Sequence, residues 1–116
     1  MLHFAFGKAD LETTARLQLD KLGEMLQHNH QYYVLIEGHS EDIQPEQNND
    51  HLRRSRAEAL KQYLVATWNI NPVLLIARSA GEEAPIAPNE TLAGRAENRR
   101  AEIFRIVLAS QKSFEL

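Results

Sequence analysis

Two short runs hold most of the side chains that could do chemistry. Gly38-His39-Ser40-Glu41-Asp42 and Asn49-Asp50-His51-Leu52-Arg53-Arg54-Ser55-Arg56-Ala57 bring together acids, amides, histidines and three arginines. Arginine presents a rigid planar fork of donors that meets a carboxylate through two parallel hydrogen bonds. A neighbouring Glu or Asp accepts from an ammonium. An acid and an arginine brought face to face can therefore grip a zwitterion, one carbon bearing both an amine and a carboxylate. Other chemistries find less support. Gly38-x-Ser40 lacks the second glycine of a nucleophile elbow, no Ser/His/Asp or Cys/His order accompanies it, and no glycine-rich phosphate loop is present. His39 with Glu41 and Asp42 has a superficial look of a metal cluster, but no further ligand group stands at a suitable spacing and no histidine pair sits at i, i+4. The residue types predict a non-catalytic binding site without metal or cofactor.

The elements that must position these runs can be read from periodicity. Leu2, Phe4 and Phe6 alternate with other residues as in a short strand, which Gly7 breaks. Leu11, Ala15, Leu19, Leu22 and Leu26 recur at three and four, predicting a helix from an Asp10 N-cap to about Asn29, its apolar stripe widened by Leu17 and Met25. Tyr32 to Glu37 is apolar at nearly every position, which suits an interior strand covered on both faces, closed by Gly38. Residues 39–48 form a polar loop containing Pro45. A second helix runs from about Glu46 or Asn49 to Trp68, with Leu52, Ala59, Leu60, Tyr63, Leu64 and Thr67 toward the core.

Asn69 to Pro72 is a turn, Val73 to Ala77 a third strand, and Ser79 to Glu90 a loop. Thr91 to Arg99 forms a helical turn, Ala101 to Leu108 a last strand, and the tail from Ala109 is loose. The order β-α-β-α-β-β predicts an α/β fold in two layers, a sheet backed by helices. In a βα unit, the loop after the strand and the helix that follows face one crevice. Asn49, Leu52, Arg53 and Arg56 share one side of that helix, so a loop carboxylate can stand opposite an arginine.

Composition bounds the partners. The 116 residues suit a single domain spanning 1–116, and 43% hydrophobic with 25% charged residues is a globular balance. A net charge of −3 argues against general affinity for nucleic acid or anionic membrane. The chain has no cysteine, which excludes disulfides and thiolate metal sites and leaves the compartment open. No apolar run reaches the ~18 residues of a membrane span. Met1-Leu2-His3-Phe4 leads directly into a strand pattern and lacks a signal-peptide layout. The expectation is either a cytosolic protein or the mature fragment of a longer exported one.

Gly38-His39-Ser40-Glu41, Asn49, Leu52 and Arg56-Ala57, followed by Gly81-Glu82-x-x-Pro85 and Gly94-Arg95-Ala96-x-Asn98-Arg99-Arg100, stand in order across nearly the whole chain. Together they resemble the OmpA-like C-terminal domain family, which includes the peptidoglycan-associated lipoprotein and the MotB stator protein. The resemblance implies a mixed sheet with helices on one face, and non-covalent binding of peptidoglycan without metal, cofactor or catalysis. It also implies a periplasmic domain of a membrane-attached envelope protein, with homodimers or envelope proteins as further partners.

In the family an Asp and an Arg clamp the zwitterionic end of meso-diaminopimelate. Those positions fall on Glu41 and Arg56, fifteen residues apart. Ser40, Asn49 and Leu52 match pocket neighbours, and Arg99 matches the pocket edge. An Arg56→Ala change is then expected to abolish binding and spare the fold.

The chain departs from the family pattern at Glu41, where Asp is usual, at Gln44 in place of a loop glycine, at Arg53 in place of Ser, and at Gly7. Asp42, next to Glu41, could take the acid's role. Glu41, Gln44 and Arg53, which all alter the expected pocket, motivate a second reading, a degenerate domain that docks a protein partner or self-associates. Arg53 and Arg54 are expected to be solvated helix charges. Arg99-Arg100 are expected to pair with acids such as Glu82 or Glu102, and His39 to buttress the loop.

Overall fold

The structure is a computed structural model that describes residues 1–28, 32–41, 46–80 and 87–107, the side chains of 46, 47 and 105–107 excepted. Along the chain it forms β1 (Leu2–His3), α1 (Thr13–His28), β2 (Tyr32–Gly38), α2 (Glu46–Trp68), a 3-10 turn (Pro72–Leu74), β3 (Leu75–Ser79), α3 (Leu92–Asn98) and β4 (Arg100–Val107). The strands make one mixed sheet in the order β1-β4-β2-β3. β2 lies parallel to β3 and antiparallel to β4, and β1 is antiparallel to β4. The parallel pair needs a crossover, and α2 supplies it.

Strand alternation sorts the sheet into two unlike faces. Val34 and Ile36 of β2, Leu75 of β3 and Ala101 of β4 point into the core with Ala15, Leu19 and Leu26 of α1 and Ala57, Leu60 and Leu64 of α2. On the other face Leu35 is half-buried, and its cross-strand neighbours Ile76 and Phe104 are each 44% exposed. The two-layer, one-sided arrangement is as expected. The expectation that β2 is covered on both faces is not, because its dense apolar run packs one side on helices and the other on flanking strand side chains.

Several boundaries differ from the sequence reading. α1 starts at Thr13, with its first intrahelical bond running from Arg16 N–H to Glu12 O, so Asp10 is not its cap. Leu17 points away from the sheet and is 59% exposed. β1 is only two residues long, although Phe4 N–H still donates to Arg99 O and Phe6 lies outside the core. β3 starts two residues later than expected, because Asn71 caps Val73 N–H and Pro72 opens a 3-10 turn that leaves Val73 exposed. The tail from Ala109 lies outside the described residues.

α2 packs hard against β2 at its polar end. A Cβ on Gly38 would sit 1.7 Å from the carbonyl oxygen of Arg53, so only glycine allows the helix backbone to approach this closely. The buried stripe of α2 runs Asn49, Arg53, Arg56, Ala57, Leu60, Leu64, so one continuous helix face is polar at its start and apolar at its end. Leu52, Ala59 and Tyr63 flank that stripe half-buried, and Thr67 is exposed.

The α1–α2 seam is fastened by Asp20. Its Oδ1 accepts from Tyr63 Oη at 2.6 Å and from Trp68 Nε1 at 2.8 Å. These bonds, the tyrosine's foremost, hold the Asp20 carboxyl below its ordinary 3.8. A lowered folded pKa means that the unfolded chain takes up the proton first. The stabilisation is therefore whole above 3.8 and is lost as pH falls through the folded value. The melting temperature is expected to drop across that acid window, and Asp20→Asn protein, melted over the same pH range, to drop less steeply.

Candidate functional site

Arg56 projects from α2 into the junction between the β1–α1 connection and the end of β2. It is completely buried. Its Nε donates to Lys8 O at 2.9 Å, Nη1 to His39 O at 2.9 Å and Nη2 to Ala5 O at 3.1 Å. The guanidinium also lies over the Phe4 ring, 5.1 Å from its centroid. Gly7 makes this cradle possible. Lys8 N–H bonds back to Ala5 O across a tight turn, and Gly7 takes the φ of +66° that a side chain disfavours there. Burial, reinforced by Arg99 and opposed by Glu41, pushes the Arg56 pKa down to about 10, so the group stays charged at neutral pH.

Glu41, just past β2, is 5% exposed. It makes no ion pair with Arg56 within 4.0 Å, although the two are near enough to feel each other's charge. Its partners come from α3 and the residue that follows it. Arg99 Nη1 lies 3.4 Å from both carboxylate oxygens, and Arg95 Nε lies 3.6 Å from Oε2. These contacts are longer than the ~2.7–2.9 Å of a tight charge-assisted bond. Glu41 is thus surrounded by positive charge without being locked by it. Arg95 and Arg99 are the partly open members, with side chains 24% and 19% exposed.

Each arginine is steered from behind. Arg99 Nε donates to Phe4 O at 3.0 Å, and Arg95 Nη1 to Asn89 O at 2.8 Å. Thr91 caps α3 by accepting from Gly94 N–H, and buried Asn98 binds Ala87 and Asn89 to hold the preceding segment.

The remaining residues singled out in the sequence are spread around this cluster. Asn49 is buried on the α2 stripe, and Leu52 and Ser40 are half-buried. Asp42 and Gln44 lie outside the described residues, as does Glu82. Arg54 is a solvated helix charge paired with Asp50 at 3.0 Å, as expected.

Arg53 is not. It is 2% exposed and donates from Nε to Ser79 Oγ at 2.9 Å and from Nη1 to Ser40 Oγ at 3.4 Å. The reason is its place four residues after Asn49, on the stripe facing the sheet, where it ties the end of β3 to the loop after β2. His39 is a buttress: its N–H donates to Arg100 O and its carbonyl receives Arg56. Arg100 pairs with Glu102 at 3.0 Å, whereas Arg99 turns to Glu41.

Sequence reasoning missed Arg95 as a neighbour of Glu41. The spacing of four between Arg95 and Arg99, which puts them on one helix side, was a usable signal. It also missed that Glu37 and Glu102 converge on His39. Burial foremost, with the charge of Arg100 added, holds the His39 imidazole below its ordinary pKa against the pull of those two carboxylates.

Comparison with known proteins gives a consistent picture. The OmpA family model matches residues 3–99. Outer membrane protein A of Bordetella avium is 34% identical over 100 residues, covering 86% of this chain and 51% of that protein. The peptidoglycan-associated lipoprotein of Pseudomonas aeruginosa is 33% identical over 101 residues, covering 87% of this chain and 59% of that one. The chain therefore spans less than two-thirds of the length of these curated relatives. The crystal structure of the peptidoglycan-associated lipoprotein from Burkholderia pseudomallei superposes with a TM-score of 0.85 at 26% identity, covering 90% of this chain and 88% of that chain.

Proposed function

The chain belongs to the OmpA family, and from that premise we propose that it is a non-catalytic domain that binds peptidoglycan through the diaminopimelate of the peptide stem. In this role it anchors a larger envelope protein to the cell wall from the periplasmic side. The observation that carries the proposal is Glu41, a nearly buried carboxylate held at 3.4–3.6 Å by two partly open arginines with Arg56 behind them. A zwitterion fits such a site, because its ammonium can replace the long contacts on Glu41 while its carboxylate takes the arginines so released. The P. aeruginosa and B. pseudomallei relatives, each a peptidoglycan-associated lipoprotein by name, support the same substrate.

In this reading Glu41 accepts from the ammonium, and Arg99, released from Glu41, takes the carboxylate together with Arg56 behind it. Arg56 has five N–H donors, of which three are engaged with carbonyls among the described residues. Asn49 and Ser40 complete the polar wall, Leu52 flanks the methylene chain, and Asp42, the next residue in sequence after Glu41, is the alternative acid. Ligand binding replaces contacts that the apo site already makes, so affinity rests on the difference between the two sets.

The second reading, a domain that has exchanged wall binding for a protein partner or a second copy of itself, is favoured by one observation. The open sheet face carries Ile76 and Phe104, each 44% exposed, beside Leu35. Co-sedimentation with purified sacculi separates the two. Diaminopimelate-type sacculi are expected to pellet the protein, and free diaminopimelate to release it. Sacculi whose stems carry lysine are expected to leave it in the supernatant. Failure to pellet with either wall would favour the protein-docking reading.

A further inference from the structure

We propose that Glu37, His39 and Glu102 form a site for a divalent first-row transition cation, with zinc the best match to one imidazole and two carboxylates. The backbone brings the three together. Glu37 and His39 are two residues apart on an extended segment, so their side chains leave on the same side. Glu102 stands directly across from Glu37 in the β2–β4 ladder. Like charges opposite one another normally destabilise a sheet, and here Arg78 and Arg100 each offset one carboxylate through a single oxygen, leaving the other oxygen of each toward His39.

The ligand atoms already converge. His39 Nε2 lies 3.5 Å from Glu102 Oε2 and 4.0 Å from Glu37 Oε1, and one atom from each residue falls within 4.8 Å of the others. Ligands held ~2.0–2.1 Å from a tetrahedral ion stand roughly 3.4 Å apart, so small rotations of two glutamates complete the set. His39 is 3% exposed, yet its Nε2 has no hydrogen-bond partner. A buried imidazole nitrogen left unsatisfied is unusual, and a metal ion is one of the few partners it could take here.

The outer contacts match a ligand sphere as well. Glu37 gives Oε2 to Arg78, from Nη2 at 2.6 Å and Nε at 2.9 Å, and its Oε1 faces the histidine. Glu102 gives Oε1 to Arg100 Nε at 3.0 Å, and its Oε2 faces the histidine. Each carboxylate is thus oriented through one oxygen and presents the other, as ligating carboxylates commonly are. The glutamates are 16% and 23% exposed, which leaves a coordination position open to water. The two arginines also repel an incoming cation, so affinity is set by competition with Arg78, the more exposed of them.

The test is calorimetric titration of zinc chloride into the intact chain at neutral pH, with Co²⁺ absorption as a report of coordination number. One equivalent is expected to bind. Glu37→Gln and Glu102→Gln should each weaken binding at least ~10-fold, and Arg78→Ala should strengthen it several-fold by freeing the Glu37 carboxylate. Zinc should also shift the His39 imidazole resonances in the unmodified protein, a readout independent of whether a variant folds. Absence of binding at millimolar zinc would overturn the proposal. So would binding that both glutamate variants leave unchanged, since that would place the ion on the other histidines.

Discussion

Arg56→Ala is expected to destabilise the domain by about 3–5 kcal/mol, enough to leave it partly unfolded at physiological temperature. The side chain removed is wholly buried and satisfies the carbonyls of Ala5, Lys8 and His39 at once. Alanine leaves the buried His39 carbonyl without its donor and the partly buried Ala5 and Lys8 carbonyls beside a cavity that water can reach. A buried acceptor without a donor costs about 1–3 kcal/mol, and the lost packing adds to it. The sequence alone predicts that this change spares the fold; the three carbonyls reverse that expectation. Arg56→Lys should fall between, because a lysine ammonium is a point donor that cannot span three acceptors held by a planar fork. Urea unfolding of the three proteins checks the order, and equal midpoints for wild type and Arg56→Ala would reject the role of strut. A binding defect in Arg56→Ala therefore says little about ligand contact unless the protein is first shown to be folded.

Glu41→Gln should do the opposite, weakening ligand binding by about 10- to 100-fold while the fold survives. A hydrogen bond to a charged group is worth roughly 1.5–3 kcal/mol, and the neutral amide keeps the shape and loses the charge. Stability changes little because, among the described residues, no polar contact to the Glu41 carboxylate is shorter than 3.4 Å and its arginine partners are partly open to water. Glu41→Asp, the residue usual in the family, should bind at least as well as wild type if the extra methylene is what displaces the carboxylate. Thermal melts beside ligand titrations separate the effects. A Glu41→Gln protein that unfolds would make this residue structural like Arg56.

Much of the fold was legible in the sequence, and what was not has identifiable causes. The helical periods of α1 and α2 and the glycine that ends β2 announce two layers, since a stripe such as Leu19-Leu22-Leu26 has one packing solution. Leu17 was misread because an apolar residue at the margin of a stripe is decided by how far the neighbouring layer extends. β3 was placed two residues early because Val73 and Leu74 look like strand, and only the Asn71 cap on a 3-10 turn shows otherwise. The loop-and-helix crevice was readable because β2 and α2 are sequential. Arg53 was not, since its burial depends on Ser79 arriving from β3, and an arginine on a helix is solvated by default. Glu37 and Glu102 were beyond reach, because their meeting with His39 is set by the β2–β4 register across more than sixty residues of chain.

The most direct measurement is calorimetric titration of meso-diaminopimelate into wild-type and Glu41→Gln proteins, both verified as folded. Saturable one-to-one binding by the first, reduced at least ~10-fold in the second, is the expected result. Equal binding by both, or none by wild type at millimolar ligand, would mean that this carboxylate and its arginines do not hold the zwitterion.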